Sequence, residues 1–199
     1  MDGMTTIDSN LSLEEPPTPR RWSAEEFLQM AGMGFFDGQR VELIDGEVLT
    51  MSPIRNAHAA AVSRLTALFS ALPADQYWVR VQATLSLGGN FPDPDIAVVE
   101  GPVTSEGDYP TSALLVIEVS DTTLRLDRGK KLALYAAAGI AEYWIVNITS
   151  RQIEIYTQPT GNGILSNGRY LNQKFYGSAE SVSPQFMPSL KVPVGQVFA

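Results

Sequence analysis

The sequence predicts an α/β or α+β fold in which helices flank one central mixed sheet. Helix-like and strand-like patterns alternate along the chain, in the order helix, hairpin, helix, strands, helix and strands. The 199 residues are enough for one domain with a sizeable core and too few for two. We therefore expect a single domain over residues 21–199. Residues 1–20 are polar, contain proline and lack periodicity, which predicts a flexible arm.

The composition excludes several classes of protein. The chain has no cysteine, so it has neither disulfides nor a thiolate nucleophile, which fits a cytoplasmic location. No apolar run approaches the roughly 20 residues that cross a bilayer, and the polar start lacks the apolar core of a signal peptide. The formal net charge is −8, whereas proteins that bind nucleic acid over their whole surface are usually basic. A nucleic-acid partner would therefore need a local basic patch.

A capping box predicts the first helix, over about residues 23–31. Ser23 and Glu26 form an S-x-x-E pattern, and Trp22 and Phe27 occupy the two positions of a hydrophobic staple. The following segment, "VELIDGEVLTMSP", predicts a hairpin, because alternating apolar residues flank an Asp-Gly pair of the kind that favours a type I′ turn.

The second helix is predicted in "NAHAAAVSRLTALFSALP", which has one apolar face and which Pro73 ends. The residues of that face are spaced by three or four: His58, Val62, Leu65, Phe69 and Leu72.

Strands and one further helix fill the rest of the chain. Strands are predicted in "YWVRVQATLSLG", "PDPDIAVV" and "SALLVIEVS", the last being apolar enough for the centre of a sheet. A helix is predicted in "LDRGKKLALYAAAGI", with Gly139 at its C-terminal stop. A strand pair, "AEYWIVNI" and "RQIEIYTQ", precedes the Gly- and Asn-rich "TGNGILSNG" and a last short strand near "SLKVPV".

Familiar catalytic motifs are missing. The single histidine, His58, excludes a zinc site with several histidines, and it lies on the apolar face of its helix, which favours a packed, hydrogen-bonded side chain. The sequence contains no G-x-S-x-G elbow and no G-x-x-x-x-G-K-[ST] loop.

Two acidic residues at strand positions are the strongest chemical signal. Asp95 opens the strand "DIAVV", and Glu118 interrupts the apolar strand "LLVIEVS". If these strands are neighbours, the two carboxylates point to one place between them. Two hard oxygen ligands, completed by water and a substrate phosphate, suit Mg²⁺ or Mn²⁺. Such an ion would activate water against a phosphodiester.

A lysine on the following helix is the expected third member of this site. Lys131 shares a helix face with Leu134, Tyr135 and Ala138, so it is predicted to point inward. The neighbouring Lys130 is the less favoured alternative.

These residues together resemble the PD-(D/E)XK nuclease superfamily, and more closely the Uma-type restriction endonucleases. The resemblance covers residues 22–195 and depends on Pro94-Asp95, on Glu118 about twenty residues later, and on "DRGKKLALY" with "EYWIV". It implies a restriction-endonuclease-like fold and Mg²⁺- or Mn²⁺-dependent hydrolysis of DNA. It also implies that Asp95 and Glu118 bind the metal and that Lys131 orients or activates the water.

The same resemblance implies a supporting acidic residue on the first strand, a position that Glu42 occupies. One departure from the superfamily stands out. The usual lysine lies two residues after the glutamate, where this chain has Ser120, so Lys131 would have to replace it from the helix.

Each of these residues also has a purely structural interpretation. Glu118 alone would pair with an arginine such as Arg80 or Arg125, and Glu42 would form a cross-strand pair facing solvent. Asp127, four residues before Lys131, would hold that lysine on the helix surface. Asp93 is interpreted as a residue that favours a turn. The aromatic residues of "EYW" and Tyr135 are interpreted as core residues.

The expected partners are DNA and a second copy of the chain, because endonucleases that cut both strands commonly act as two-fold dimers. RNA and branched DNA stay open as substrates. The alternative is a catalytically inactive nuclease fold kept for nucleic-acid binding or assembly, which Ser120 and the acidic charge both favour.

Overall fold

The N-terminal helix and hairpin form as the sequence predicts. In the computed structural model, which describes residues 18–161 and 168–199, α1 (Ala24–Gly32) begins at the predicted capping box. The Ser23 side chain accepts a hydrogen bond from the Glu26 N–H at 3.1 Å, and the Glu26 carboxylate accepts one from the Ser23 N–H at 3.0 Å. Residues 1–17 of the predicted arm lie outside the described residues.

The hairpin pairs β1 (Val41–Ile44) with β2 (Glu47–Thr50) in antiparallel register. The turn residues Asp45 and Gly46 have φ angles of 54° and 71°, and positive values at both positions are what a type I′ turn requires. The predicted hairpin is therefore confirmed.

A six-stranded mixed sheet forms the centre of the fold, after α2 (Asn56–Phe69). Its strands lie side by side in chain order: β3 (Tyr77–Val81), β4 (Ile96–Glu100), β5 (Leu115–Ser120), β6 (Glu142–Asn147), β7 (Gln152–Thr160) and β8 (Arg169–Tyr176). Only β5 and β6 run parallel, because a helical crossover joins them.

The crossover is a helical run in three parts. It comprises α3 (Leu124–Leu126), a π-helical turn (Asp127–Lys131) and α4 (Leu132–Ala137). Gly139, with a φ of 74°, follows as the predicted stop.

Each face of the sheet buries its own apolar cluster. On one face α2 packs against alternate residues of the central strands, such as Leu115, Ile117 and Val119. On the other face the crossover helix packs against Val116, Tyr143 and Ile145 through residues that include Leu134 and Tyr135. This alternation along β5 explains why the strand reads as continuously apolar.

The C-terminal part differs from the prediction. Strand β8 was not predicted, because most of its side chains are exposed and its apolar residues Leu171 and Phe175 carry no clear alternation. The short β9 (Ser181–Val182) was also missed, whereas the predicted last strand appears as β10 (Val192–Pro193), followed by α5 (Val194–Val197). Of the Gly- and Asn-rich stretch, residues 162–167 lie outside the described residues.

Strand β3 is shorter than predicted. It ends at Val81 because Gln82 has a φ of 46°, which breaks the extended conformation.

Within residues 18–161 and 168–199, no helix is long and apolar enough to cross a membrane.

Candidate active site

The register of β4 against β5 brings the two predicted carboxylates together. Ile96 pairs with Ile117 in an antiparallel ladder, so one step further Asp95 lies opposite Glu118. Directly opposed residues point to the same face, which here is the face covered by the crossover helix. Asp95 is 6% exposed and Glu118 is 4% exposed.

Asp95 is held in place by three donors. Its Oδ2 accepts hydrogen bonds from His58 Nε2 at 3.0 Å and from the Val119 N–H at 2.8 Å, while Oδ1 accepts one from Gln82 at 3.2 Å. Burial alone would raise the pKa of Asp95, but His58 and the other donors outweigh burial and bring the pKa below its usual value. Asp95 is therefore an ionised carboxylate at neutral pH.

Glu118 uses one of its two oxygens for protein contacts. Its Oε1 accepts hydrogen bonds from Lys131 Nζ at 2.9 Å and from the Tyr135 hydroxyl at 2.6 Å. No hydrogen bond reaches Oε2 from the residues that the structure describes. Burial raises the pKa of Glu118 well above its usual value, and the nearby carboxylates add to this while Lys131 opposes it.

Lys131 is buried between two glutamates that lie on different strands. Its Nζ lies 3.0 Å from the carboxylate of Glu42 on β1 and 2.9 Å from that of Glu118 on β5, and the residue is 1% exposed. Burial would lower the pKa of Lys131, but the surrounding carboxylates outweigh burial and raise it, so the side chain is an ammonium ion. Lys130, by contrast, is exposed and pairs with Glu47 on β2.

These residues line one acidic cleft, defined here by its charged side chains. The carboxylates that line it are Glu42, Asp93, Asp95, Glu118, Asp121 and Asp127. The basic side chains that line it are Arg40, Arg55, His58 and Lys131. Burial raises the pKa of Glu42, Asp93 and Asp127, as it does that of Glu118. The cleft therefore holds more carboxylate than its own cations neutralise.

The carboxylate oxygens of the cleft suit a hard cation that binds only a few protein ligands. Across residues 18–161 and 168–199, no group of three or more histidine, aspartate or glutamate side chains is arranged to hold a metal ion. Asp95 and Glu118 alone would supply two ligands, and no donor from the described residues bonds to Oε2 of Glu118. Mg²⁺ commonly binds one or two carboxylates and keeps water and phosphate oxygens for its other positions. The residues present fit such an ion.

The structural alternatives can be compared directly with these contacts. Neither Arg80 nor Arg125 pairs with Glu118 among the ion pairs of the described chain: Arg80 donates to the Thr84 carbonyl and lies over the Trp78 ring, with the Arg80 Cζ 4.3 Å from the ring centroid. Glu42 is buried rather than solvent-facing, so the cross-strand interpretation is wrong.

Three residues that the sequence predicts to have structural roles also make contacts at or near the cleft. Asp127 is buried and accepts a hydrogen bond from the Thr123 hydroxyl at 2.6 Å, and it lies beyond ion-pair distance of Lys131. His58 is hydrogen-bonded, as expected, but its partner is Asp95 and it lines the cleft. Tyr135 is core, as expected, and its hydroxyl also reaches Glu118.

Asp93 is the residue whose place the sequence interpretation missed. It lines the cleft rather than only shaping a turn, near enough to Glu42, Arg40 and Lys131 for their charges to interact. The signal was present in "PDPD", since residues two apart in an extended segment point the same way.

Comparison with known proteins gives the same fold and a family. The chain superposes with a TM-score of 0.70 on a solved structure from Anabaena variabilis ATCC 29413, described as a putative nuclease belonging to DUF820. The identity is 14%, and the match covers 88% of this chain and 97% of that one. No match was found among curated proteins. Residues 24–195 match the Uma2 family, described as "Putative restriction endonuclease". The chain belongs to the Uma2 family of restriction-endonuclease-like proteins.

Proposed function

We propose that the acidic cleft hydrolyses phosphodiester bonds of DNA with the help of Mg²⁺ or Mn²⁺. The observation that carries this proposal is the meeting of Asp95 and Glu118 on one sheet face beside the buried ammonium of Lys131. Carboxylates with shifted pKa values that cluster in a cleft occur at functional sites more often than chance. A nuclease family and fold make the nucleic acid the natural substrate.

Asp95 and Glu118 would hold the divalent cation. The three donors on Asp95 fix the orientation of its carboxylate, and the contacts at Oε1 of Glu118 leave Oε2 free for the ion. When bound, the ion neutralises charge on the phosphodiester and lowers the pKa of water. The surplus negative charge of the cleft gives it a favourable place.

Lys131 would act on the developing charge of the phosphate. Because its pKa is raised, it donates hydrogen bonds as an ammonium ion and does not accept a proton at neutral pH. Glu42 would support the site by holding Lys131 from the side of β1, at 3.0 Å. Tyr135 and Lys131 together fix the rotamer of Glu118.

Basic side chains around the cleft suit a phosphate backbone. Arg40 and Arg55 line the cleft, and Arg125 and Lys130 line a second pocket at the start of the crossover helix. These four residues, which we call the rim cations, provide a local basic patch on an acidic chain. The homodimer expected from the sequence belongs to this proposal, since endonucleases that cut both strands of DNA commonly act as two-fold dimers.

Cleavage of supercoiled plasmid tests the proposal. With Mg²⁺ or Mn²⁺ we expect nicked and linear products from the purified protein, and a fall of at least about 10²-fold in rate for Asp95→Ala and for Glu118→Ala. Glu100→Ala is the matched control, because Glu100 is an exposed carboxylate at the other end of β4. Equal behaviour of wild type and both site variants on DNA and RNA would overturn the enzyme proposal.

Metal binding can be measured without cleavage. A ligand that binds only the native state stabilises it, by about 2.7 kcal/mol at 100 times its Kd. We expect Mn²⁺ to raise the melting temperature of wild type and of Glu100→Ala, and to leave that of Asp95→Ala unchanged.

One contact in the cleft adds to the inactive-module alternative, which Ser120 and the acidic net charge also favour. Lys131 already pairs with Glu42 and Glu118, so the cluster is partly neutralised without any ligand. Stabilisation by Mn²⁺ with no cleavage of any nucleic acid would favour this alternative over the enzyme.

A further inference from the structure

The crossover helix contains a π-helical turn at the residues that face the site. The Leu132 N–H donates to the Asp127 carbonyl, five residues back, so the turn Asp127–Lys131 is wider than an α-helical turn. Asp127 and Lys131, at its two ends, are 2% and 1% exposed. Single π-turns are less favourable than α-helix and persist where surrounding contacts hold them.

One strong contact ties this turn to a second strand of the sheet. Arg128 donates two hydrogen bonds to Glu154 on β7, from Nε to Oε2 at 2.9 Å and from Nη2 to Oε1 at 2.6 Å. Such bidentate pairs fix geometry as well as charge. Glu154 is fully buried and also accepts hydrogen bonds from Tyr156 at 2.8 Å and Asn147 at 3.2 Å, so its own position is fixed.

Glu154 and Glu118 lie in one row across the sheet. Glu118 pairs with Ile145 on β6, and Ile145 pairs with Glu154 on β7, so both carboxylates point to the same face, two strand spacings apart. That separation is about 10 Å. Arg128 and Lys131, three residues apart in the turn, therefore bind the sheet at two carboxylates on two different strands.

We propose that Arg128 and Glu154 are a positioning pair that keeps the π-turn open and thereby places the Lys131 ammonium between Glu42 and Glu118. Return of the turn to regular α-helix would rotate Lys131 by about 100°, the angle of one residue, and would remove it from the cleft. Neither residue lines the cleft, so neither is a catalytic residue. The consequence for rate rests on the function proposed above, whereas the consequence for Lys131 does not.

Nitrogen-15 NMR of the lysine side chains tests the placement directly. The chain has only four lysines, so the ammonium signal of Lys131 can be assigned by its loss in Lys131→Arg. We expect Arg128→Ala and Glu154→Gln to shift or broaden the Lys131 signal and to leave those of Lys174 and Lys191 unchanged. Arg125→Ala is the matched control, since Arg125 is an exposed arginine of the same helical run that is not among the partners of Glu154 in the described chain, and it should leave the Lys131 signal in place.

Kinetics add a second readout. We expect Arg128→Ala to lower kcat by about 10-fold or more with little change in KM, and Arg128→Lys, which keeps the charge without the bidentate fork, to recover part of the loss. If Glu154→Gln does not fold, the two Arg128 variants carry the test, because the Arg128 side chain is 44% exposed.

The outcomes separate the two proposals. An unchanged Lys131 signal in folded Arg128→Ala overturns the positioning pair, whatever the activity. If the signal moves as expected but wild type cleaves no nucleic acid, the positioning pair stands and the proposed function fails. A uniform loss of melting temperature with no movement of the Lys131 signal would show that the pair only stabilises the fold.

Discussion

At the level of single residues, Lys131 lies among more carboxylates than it can neutralise. Its two direct partners, Glu42 and Glu118, are both buried, and burial raises the pKa of both. Lys131 opposes that rise in each case. Without the ammonium ion, each carboxylate would be a buried negative charge with no cation beside it wherever it is ionised, which is costly for the folded state.

Replacement of Lys131 by Met should therefore destabilise the protein in a pH-dependent way. At pH 8 we expect a loss of about 3–5 kcal/mol in the free energy of unfolding, the usual cost of removing one partner of a buried pair. A carboxyl group whose pKa is raised by folding destabilises the native state as pH rises above its unfolded value, near 4.3. The deficit relative to wild type should thus be largest at high pH and should shrink as pH falls toward the unfolded pKa near 4.3. Urea unfolding at several pH values measures this.

Lys130→Met is the control for that measurement. Lys130 is exposed and its pairing with Glu47 is a surface ion pair, so the expected change is within about 0.5 kcal/mol at every pH. A loss for Lys131→Met that is small, or that does not depend on pH, would contradict the assignment of Lys131 as the buried cation of the cleft.

The sequence carried different amounts of information about these residues. Glu118 was conspicuous because a carboxylate in an apolar strand needs a partner, and Lys131 because it follows the apolar face of its helix. Asp93 and Glu42 were ambiguous for a physical reason, because an acidic residue in a turn or hairpin is compatible with solvent. Only the packing of the hairpin against the sheet shows that Glu42 is buried and that both residues line the cleft. The hydroxyl contact of Tyr135 was equally invisible, since the residue also satisfies a core position.

At the level of elements, local rules predicted best where they were self-contained. The capping box of α1 and the Asp45-Gly46 turn each depend on a few adjacent residues, and both are present in the structure. The same local rules missed strand β8, because the sequence of an edge strand with mostly exposed side chains shows little periodicity. The π-turn has no local signature at all: it depends on Arg128 meeting Glu154, 26 residues later.

The hairpin turn offers a test at this level. A Cβ at Gly46 would lie 2.7 Å from the Cβ of Arg21 and 3.2 Å from the Trp22 carbonyl oxygen, in addition to the strain of a positive φ. We expect Gly46→Ala to cost about 1–3 kcal/mol in the free energy of unfolding, by chemical denaturation. Gly38→Ala shares the positive φ of 75° and meets no atom within 4 Å, so the difference between the two variants isolates the contact. Equal losses would show that the contact is relieved at no cost.

At the level of the whole molecule, the distribution of charge matters more than its sum. The net charge of −8 opposes a polyanion at long range. The rim cations are therefore the part of the described surface beside the cleft where a phosphate backbone finds favourable charge. A protein of this kind should bind DNA through few phosphate contacts, and its affinity should fall with salt less steeply than that of a basic protein with a broad interface.

Binding of a DNA duplex at several salt concentrations measures how many phosphates are involved. In EDTA, which keeps the cleft free of divalent ions and prevents cleavage, we expect a slope of log K against log salt no steeper than about −4, from four rim cations at about 0.9 each. Arg55→Ala should make the slope shallower by about 1 and weaken binding alike for all sequences, because a phosphate contact carries no base preference. The nearby Asp121, 3.7 Å from the guanidinium of Arg55, offsets part of the affinity that Arg55 contributes, so the loss in Arg55→Ala should be modest. Lys191→Ala, which removes an exposed charge that does not line the cleft, should leave the slope unchanged. An equal effect of Arg55→Ala and Lys191→Ala would mean that DNA binds through diffuse charge rather than along the rim.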